Sequence, residues 1–209
     1  MSRFALFVLA ALVLAPAGLA VPRTDADGRL VRGSSDRAAA LQLLARGQRS
    51  AWRPSATSAT AGAATQQKAL ETALIRGINS IRSNHGLKPL AFSARLSAAA
   101  AQHTREMGAK GYFEHESYDS TEFWKRIERW YPSKGRRSWS VGENLLYSSP
   151  DVTSDEGVEL WMNSPGHRAN ILSRSWREIG MSAIHFETAP GEFEGDPVTL
   201  VTADFGVRR

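Results

Sequence analysis

Cysteine is absent from all 209 residues, which removes disulfides, thiol nucleophiles, thiolate zinc sites and lipid attachment through cysteine. Stability must come from packing. Long apolar runs are also missing: the longest, from Phe4 to Leu14, has eleven residues, too short to cross a hydrocarbon layer of about 30 Å comfortably. The usual catalytic signatures are missing as well, with no Gly-x-Ser-x-Gly elbow, no His-Glu-x-x-His and no phosphate-cradling glycine loop ending in Lys-Ser/Thr. Common hydrolases and nucleotide enzymes lose support.

The short apolar run follows Met1-Ser2-Arg3 and precedes Pro16-Ala17-Gly18-Leu19-Ala20, the layout of a secretory signal peptide with cleavage after Ala17 or Ala20. A chain of 209 residues loses 20 by the second cut and keeps 189, enough for one domain with a real core. We expect a signal peptide over 1–20, a basic arm and linker over 21–65, and one domain over 66–209. No transmembrane span is expected after cleavage, and the protein is expected to be secreted or periplasmic.

Net charge is +5, but it is unevenly placed. Residues 21–65 hold seven arginines against three aspartates, whereas 66–209 hold eighteen basic and eighteen acidic residues. The basic balance belongs to the arm. A neutral domain without interleaved basic and aromatic residues argues against nucleic acid as a partner. The arm suits anionic envelope polymers or lipid headgroups, or serves as a solvated linker. Within it, Ser34 to Arg46 has helical spacing and Gly47 to Thr65 is rich in Ala, Ser, Thr and Gly.

From Gln66 the pattern becomes helical, with Leu70, Ala73, Leu74, Gly77, Ile78 and Ile81 on one face and a stop at Asn84-His85-Gly86. Ser93 is placed to cap a second helix whose stripe is Leu96, Ala100, His103 and Met107, ending at Gly108 or Gly111. His103 on that face reads as a core histidine with a satisfied nitrogen. A third helix is expected near Thr121 to Trp130, with Phe123, Ile127 and Trp130 facing the core. Trp139-Ser140-Val141 reads as a short strand leading into Gly142-Glu143-Asn144, and Thr153 to Glu156 has capping-box spacing for a helix to Asn163. Ile179 to Phe186 and Val198 to Val207 should pair as an antiparallel hairpin with a long loop. Helices first and strands last favour an α+β layered domain.

The segment from Trp161 to Leu172 carries the sharpest signal. Pro165 suits the first helical position and Ser164 before it can cap, which makes His167 the third helical residue. The positive helix end disfavours imidazolium there, leaving an imidazole able to ligate a metal or act as a base. Polar residues flanked by turn or apolar residues complete the candidate set: His115, Glu143, Ser164 and His167. Ser164 is read as a cap rather than a nucleophile, because a nucleophile needs His167 as base and a third group behind it.

Six stretches in order resemble the CAP superfamily, also called SCP-like, which includes cysteine-rich secretory proteins, antigen 5 and pathogenesis-related 1, in its bacterial extracellular branch. They are Asn79 to Arg82 with Gly86 to Leu90; Met107 to His115; Gly142-Glu143-Asn144; Trp161 to Leu172; Ile179-Gly180-Met181; and Thr202 to Gly206. The resemblance implies an α-β-α sandwich, a small antiparallel sheet flanked by helices, with a cleft of two histidines and two glutamates. His115 matches the first histidine, Glu143 the first glutamate and His167 the second histidine, while Ser164 stands where the second glutamate falls.

Two imidazoles and a carboxylate suit Zn²⁺ or a similar divalent ion, with His115, Glu143 and His167 as ligands. The same residues also suit a hydrogen-bonded polar cluster, with Arg168 nearby. The resemblance suggests lipids, sterols or partner surfaces as ligands. The reading that follows is a secreted CAP-domain binding protein of the envelope or extracellular space, non-enzymatic on balance. A metal-assisted hydrolase and a structural protein acting through its basic arm are the rivals.

Overall fold

The computed structural model describes residues 62–209 together with the backbone of the strand Leu6–Ala11. The arm helix expected over Ser34 to Arg46 and the tract from Gly47 lie outside the described residues, apart from the last few positions before Gln66.

In chain order the elements are β1 (Leu6–Ala11), β2 (Ala64–Gln66), α1 (Lys68–Asn84), β3 (Ala91–Phe92), α2 (Ala94–Lys110), α3 (Phe123–Trp130), β4 (Trp139–Ser148), α4 (Ser154–Asn163), α5 (Pro165–Ile171), β5 (Glu178–Phe186) and β6 (Val198–Arg208). The main sheet runs β1-β4-β6-β5-β2, and β3 pairs with β5. Every pairing is antiparallel except the two-residue β3–β5 contact, which is parallel. The expected hairpin forms, with Phe186 opposite Val198 and Glu178 opposite Gly206.

Side chains alternate faces along a strand, so the core divides by residue parity. On one face Ile179, Met181 and Ala183 of β5 join Val201, Ala203, Phe205 and Val207 of β6 and Leu146 of β4, covered by Leu74 and Ile78 of α1, Val158 and Trp161 of α4 and Ile171 of α5. On the other face Ile184, Phe186, Val198, Leu200 and Leu145 meet Met107 of α2. Val141 and Trp139 meet Leu96, Ala99, Phe123 and Ile127 of α2 and α3 there. This is the α+β, three-layer α-β-α arrangement, and β4 and β6 are buried almost throughout.

Local chemistry places the helix ends. Gly111, at φ 71°, stops α2 in a left-handed cap whose N–H reaches the Met107 carbonyl at 2.8 Å. Thr153 and Glu156 form the capping box that opens α4. Three expectations are corrected. The strand at Trp139 does not end at Val141 but runs ten residues to Ser148. Trp130 is not core: it is 43% exposed, and its indole N–H donates to Gln102 Oε1. Ser93 and Ser164 occupy cap positions but make no side-chain cap bond.

Candidate functional site

Glu143 and Asn144 sit side by side in the middle of β4, and the strand's alternation sends them to opposite faces of the sheet. Glu143 points toward α2 and α3. There its Oε1 accepts from His115 Nδ1 at 2.8 Å and its Oε2 pairs with the Arg126 guanidinium of α3. Arg126 also donates from Nη1 to the His115 carbonyl at 3.0 Å, so one guanidinium fixes both the carboxylate and the loop that carries the imidazole. All three side chains are buried, and His115 Nε2 has no hydrogen-bond partner.

Asp204 of β6 stands directly opposite Glu143 in the strand register, on the same face. It is wholly buried, and neither of its oxygens accepts a hydrogen bond. Burial, and next the negative Glu143, hold its proton well above the usual carboxylate range, so it faces Glu143 as a neutral acid. Burial pushes Glu143 up too, but Arg126 and the neighbouring histidines outweigh that and bring it down to about 2. Arg126 alone cannot neutralise two carboxylates, and the pair divides into one anion and one acid.

His103 on α2 adjoins this cluster as the expected satisfied core histidine. Its Nε2 donates to the Glu114 carbonyl at 2.8 Å, and burial takes its pKa down to about 3, so the ring is neutral.

Asn144 points the other way, toward α5. Its Nδ2 donates to the His167 carbonyl at 3.2 Å, and Asn170 Nδ2 donates to Asn144 Oδ1 at 2.8 Å and to the Glu143 carbonyl at 3.1 Å. His167 is buried as the third residue of α5, as its place after Pro165 dictates. Ser164 Oγ lies 2.8 Å from His167 Nδ1 and holds the ring instead of capping the helix.

The structure thus brings His115 to Glu143 and Ser164 to His167, and links the two pairs through the β4 backbone. Among the described residues no group of three or more His, Asp or Glu could hold a metal ion. Glu143 is engaged by His115 and Arg126, which suits a carboxylate that orients an imidazole. The arginine beside it is Arg126, not the exposed Arg168. The β1 strand runs along this edge, with Ala11 opposite Glu143 and Ala10 opposite Asn144.

Sequence reading missed Arg126 and Asp204. Arg126 sits one residue before Ile127 in an amphipathic helix, where arginine ordinarily reads as solvated face. Asp204 carried a weak signal, an acid at an inward position of a strand buried on both sides.

Two helical layers on a mostly antiparallel sheet, with an imidazole–carboxylate pair at the strand that borders α5, define an SCP-type domain. The chain belongs to the cysteine-rich secretory protein family (CAP), whose sequence pattern matches residues 75–191. It is 32% identical to the uncharacterized protein YkwD of Bacillus subtilis over 128 residues, covering 61% of this chain and 48% of that protein. An extracellular protein with an SCP domain from Bacillus anthracis superposes with a TM-score of 0.52 at 24% identity, covering 68% of this chain and 41% of the other. An outer surface protein of Borrelia burgdorferi superposes with a TM-score of 0.56 at 20% identity, covering 71% of this chain and 99% of the other. The chain spans about half the length of the YkwD protein it matches.

Proposed function

We propose that this chain is an exported binding protein of the cell envelope or extracellular space that works without catalysis, taking lipid or envelope polymer as its ligand. One observation carries the non-enzymatic reading: both oxygens of Glu143, the carboxylate a hydrolase would use as base or metal ligand, are engaged inside the fold by His115 and Arg126. A base must be within reach of the proton it removes, and this one is turned inward. Export is supported by the layout of residues 1–20 and by relatives described as extracellular and outer-surface proteins. Among the described residues no helix is long and apolar enough to cross a membrane.

The test is cosedimentation of the full chain with anionic vesicles and with purified wall polymer, comparing the unchanged protein with His115→Ala and His167→Ala. Association should persist in at least one histidine variant. Turnover of an ester or peptide substrate that is lost in both variants would instead establish the hydrolase. One observation favours a metal: His115 anchors Nδ1 on a carboxylate and leaves a buried, partnerless Nε2, the arrangement of a metal-bound imidazole. Zinc titrated into the chelator-stripped chain decides it. Stoichiometric uptake that weakens through the histidine pH range and disappears in His115→Ala establishes the ion, and absence of heat at neutral pH removes it.

A further inference from the structure

Away from the β4 edge, where α1 ends and the loop after α5 turns toward β5, four cations converge on one cavity. Arg82, Lys88, Arg174 and Arg177, with Gly86 and Leu87, line about 290 Å³, roughly ten times the volume of a water molecule in the liquid. No carboxylate lines it, and none of the four cations takes part in an ion pair among the described residues. The surrounding domain is electrically balanced, with eighteen residues of each sign over 66–209, so this clustering is local.

Arg82 is the unusual member, because its side chain is only 1% exposed. A buried guanidinium ordinarily sits on a carboxylate. Here it donates from Nε to the Lys88 carbonyl at 3.0 Å and from Nη1 to the carbonyls of Ile171 at 2.7 Å and Ser173 at 2.9 Å. These bonds close the end of α5 and explain three of its five N–H groups. They leave Nη2 without an acceptor, on a residue that lines the cavity. Arg177 bends back in the same way, its Nη1 donating to the carbonyls of Arg174 at 2.7 Å and Trp176 at 2.8 Å. Burial, and then the charge of Arg177, lower the pKa of Arg82 below its ordinary value, the response of a cation that lacks an anion.

We propose that this cavity is an oxyanion site that takes a phosphate group, with Arg82 Nη2 at its floor and Lys88, Arg174 and Arg177 at its mouth. Guanidinium N–H pairs match phosphate oxygens geometrically, and a mobile ammonium supplies charge without fixing direction. The volume accommodates free phosphate or the phosphate and glycerol of a lipid headgroup. The proposal rests on the binding-protein reading only for its biological sense, since phosphate affinity is measurable without any envelope component.

Calorimetry of the full chain with inorganic phosphate, chloride replaced at constant ionic strength, should show saturable binding of one ion at this cavity. Lys88→Glu combined with Arg174→Ala changes two exposed side chains that make no hydrogen bond, and should weaken phosphate at least tenfold without moving the melting temperature. Arg136→Ala, an exposed arginine outside the cavity, should bind as the unchanged chain does. Phosphatidylglycerol vesicles form the second arm. Competition with phosphate that is lost in the double variant assigns a headgroup, and phosphate binding without competition assigns the free anion; both support the site. No phosphate heat beyond that of chloride, or equal affinity in the double variant, overturns it. Vesicle association that persists in the double variant would leave the envelope-binding reading standing without this cavity.

Discussion

Burial keeps Asp204 and His103 uncharged in the same cluster, yet it ties them to pH with opposite sign. His103 has a folded pKa of about 3, below its unfolded value of roughly 6.5, so its contribution is present above the unfolded value and is lost as pH falls toward 3. Asp204 is raised, so its contribution is complete below the ordinary aspartate value and is lost as pH rises through the folded one. The two trends offset each other between neutral and acid pH. Asp204→Asn removes one of them: asparagine is neutral at every pH and has nearly the same shape. Thermal melts of this variant should lie above those of the unchanged chain at pH 8, with the gap closing toward pH 4. A gap that stays constant across that range would show that Asp204 is not held as an acid. Little of this was legible in the sequence. His115 and Glu143 were found because each lies inside a short stretch with a recognisable neighbourhood. Asp204 becomes a partner of Glu143 only once β4 and β6 are in register, and Arg126 only once α3 lies on that face.

Elements were legible where their signals are local. The capping box at Thr153 marked α4 to the residue, and glycine marked the end of α2 as Gly108 or Gly111, of which Gly111 is the cap, because each signal acts through its own backbone neighbours. The β4 strand was read too short because Gly142-Glu143-Asn144 has the composition of a turn. What keeps it extended is pairing to β6 over ten residues, a non-local cause. Trp130 was placed in the core by helical spacing, but Ile127 and Tyr131 take the buried positions at that end of α3 and leave Trp130 exposed. Another element contact depends on one missing side chain. A Cβ on Gly180 of β5 would stand 2.1 Å from the Ser97 nitrogen and 2.2 Å from the Leu96 carbonyl carbon, both backbone atoms of α2. Helix and strand touch there with nothing between them. Gly180→Ala must push α2 off the sheet, since no side-chain rotation relieves a backbone clash. We expect a loss of at least about 1–3 kcal/mol in urea unfolding, the usual cost of overpacking. An unchanged midpoint would mean that α2 shifts freely, which the core contacts made by its own Leu96, Ala99 and Met107 argue against.

At the scale of the whole chain, the segment read as a leader and the strand that carries the site are neighbours. β1 pairs with β4 from Leu6 opposite Ser148 to Ala11 opposite Glu143, on the edge that β6 does not occupy. Cleavage after Ala20 would open it. In an antiparallel strand the amides point alternately to the two neighbours, so losing β1 frees one set and leaves the set bonded to β6 untouched. Hydrogen exchange on the full chain and on a chain starting at Val21 should therefore differ in an alternating pattern over Glu143 to Ser148. The amides that face β1 should lose their protection, while their neighbours in sequence keep it. An exposed edge of this kind is also a template for a further strand, which native proteins cover or blunt. If the processed chain shows the same protection as the full one, the edge is covered by something other than β1.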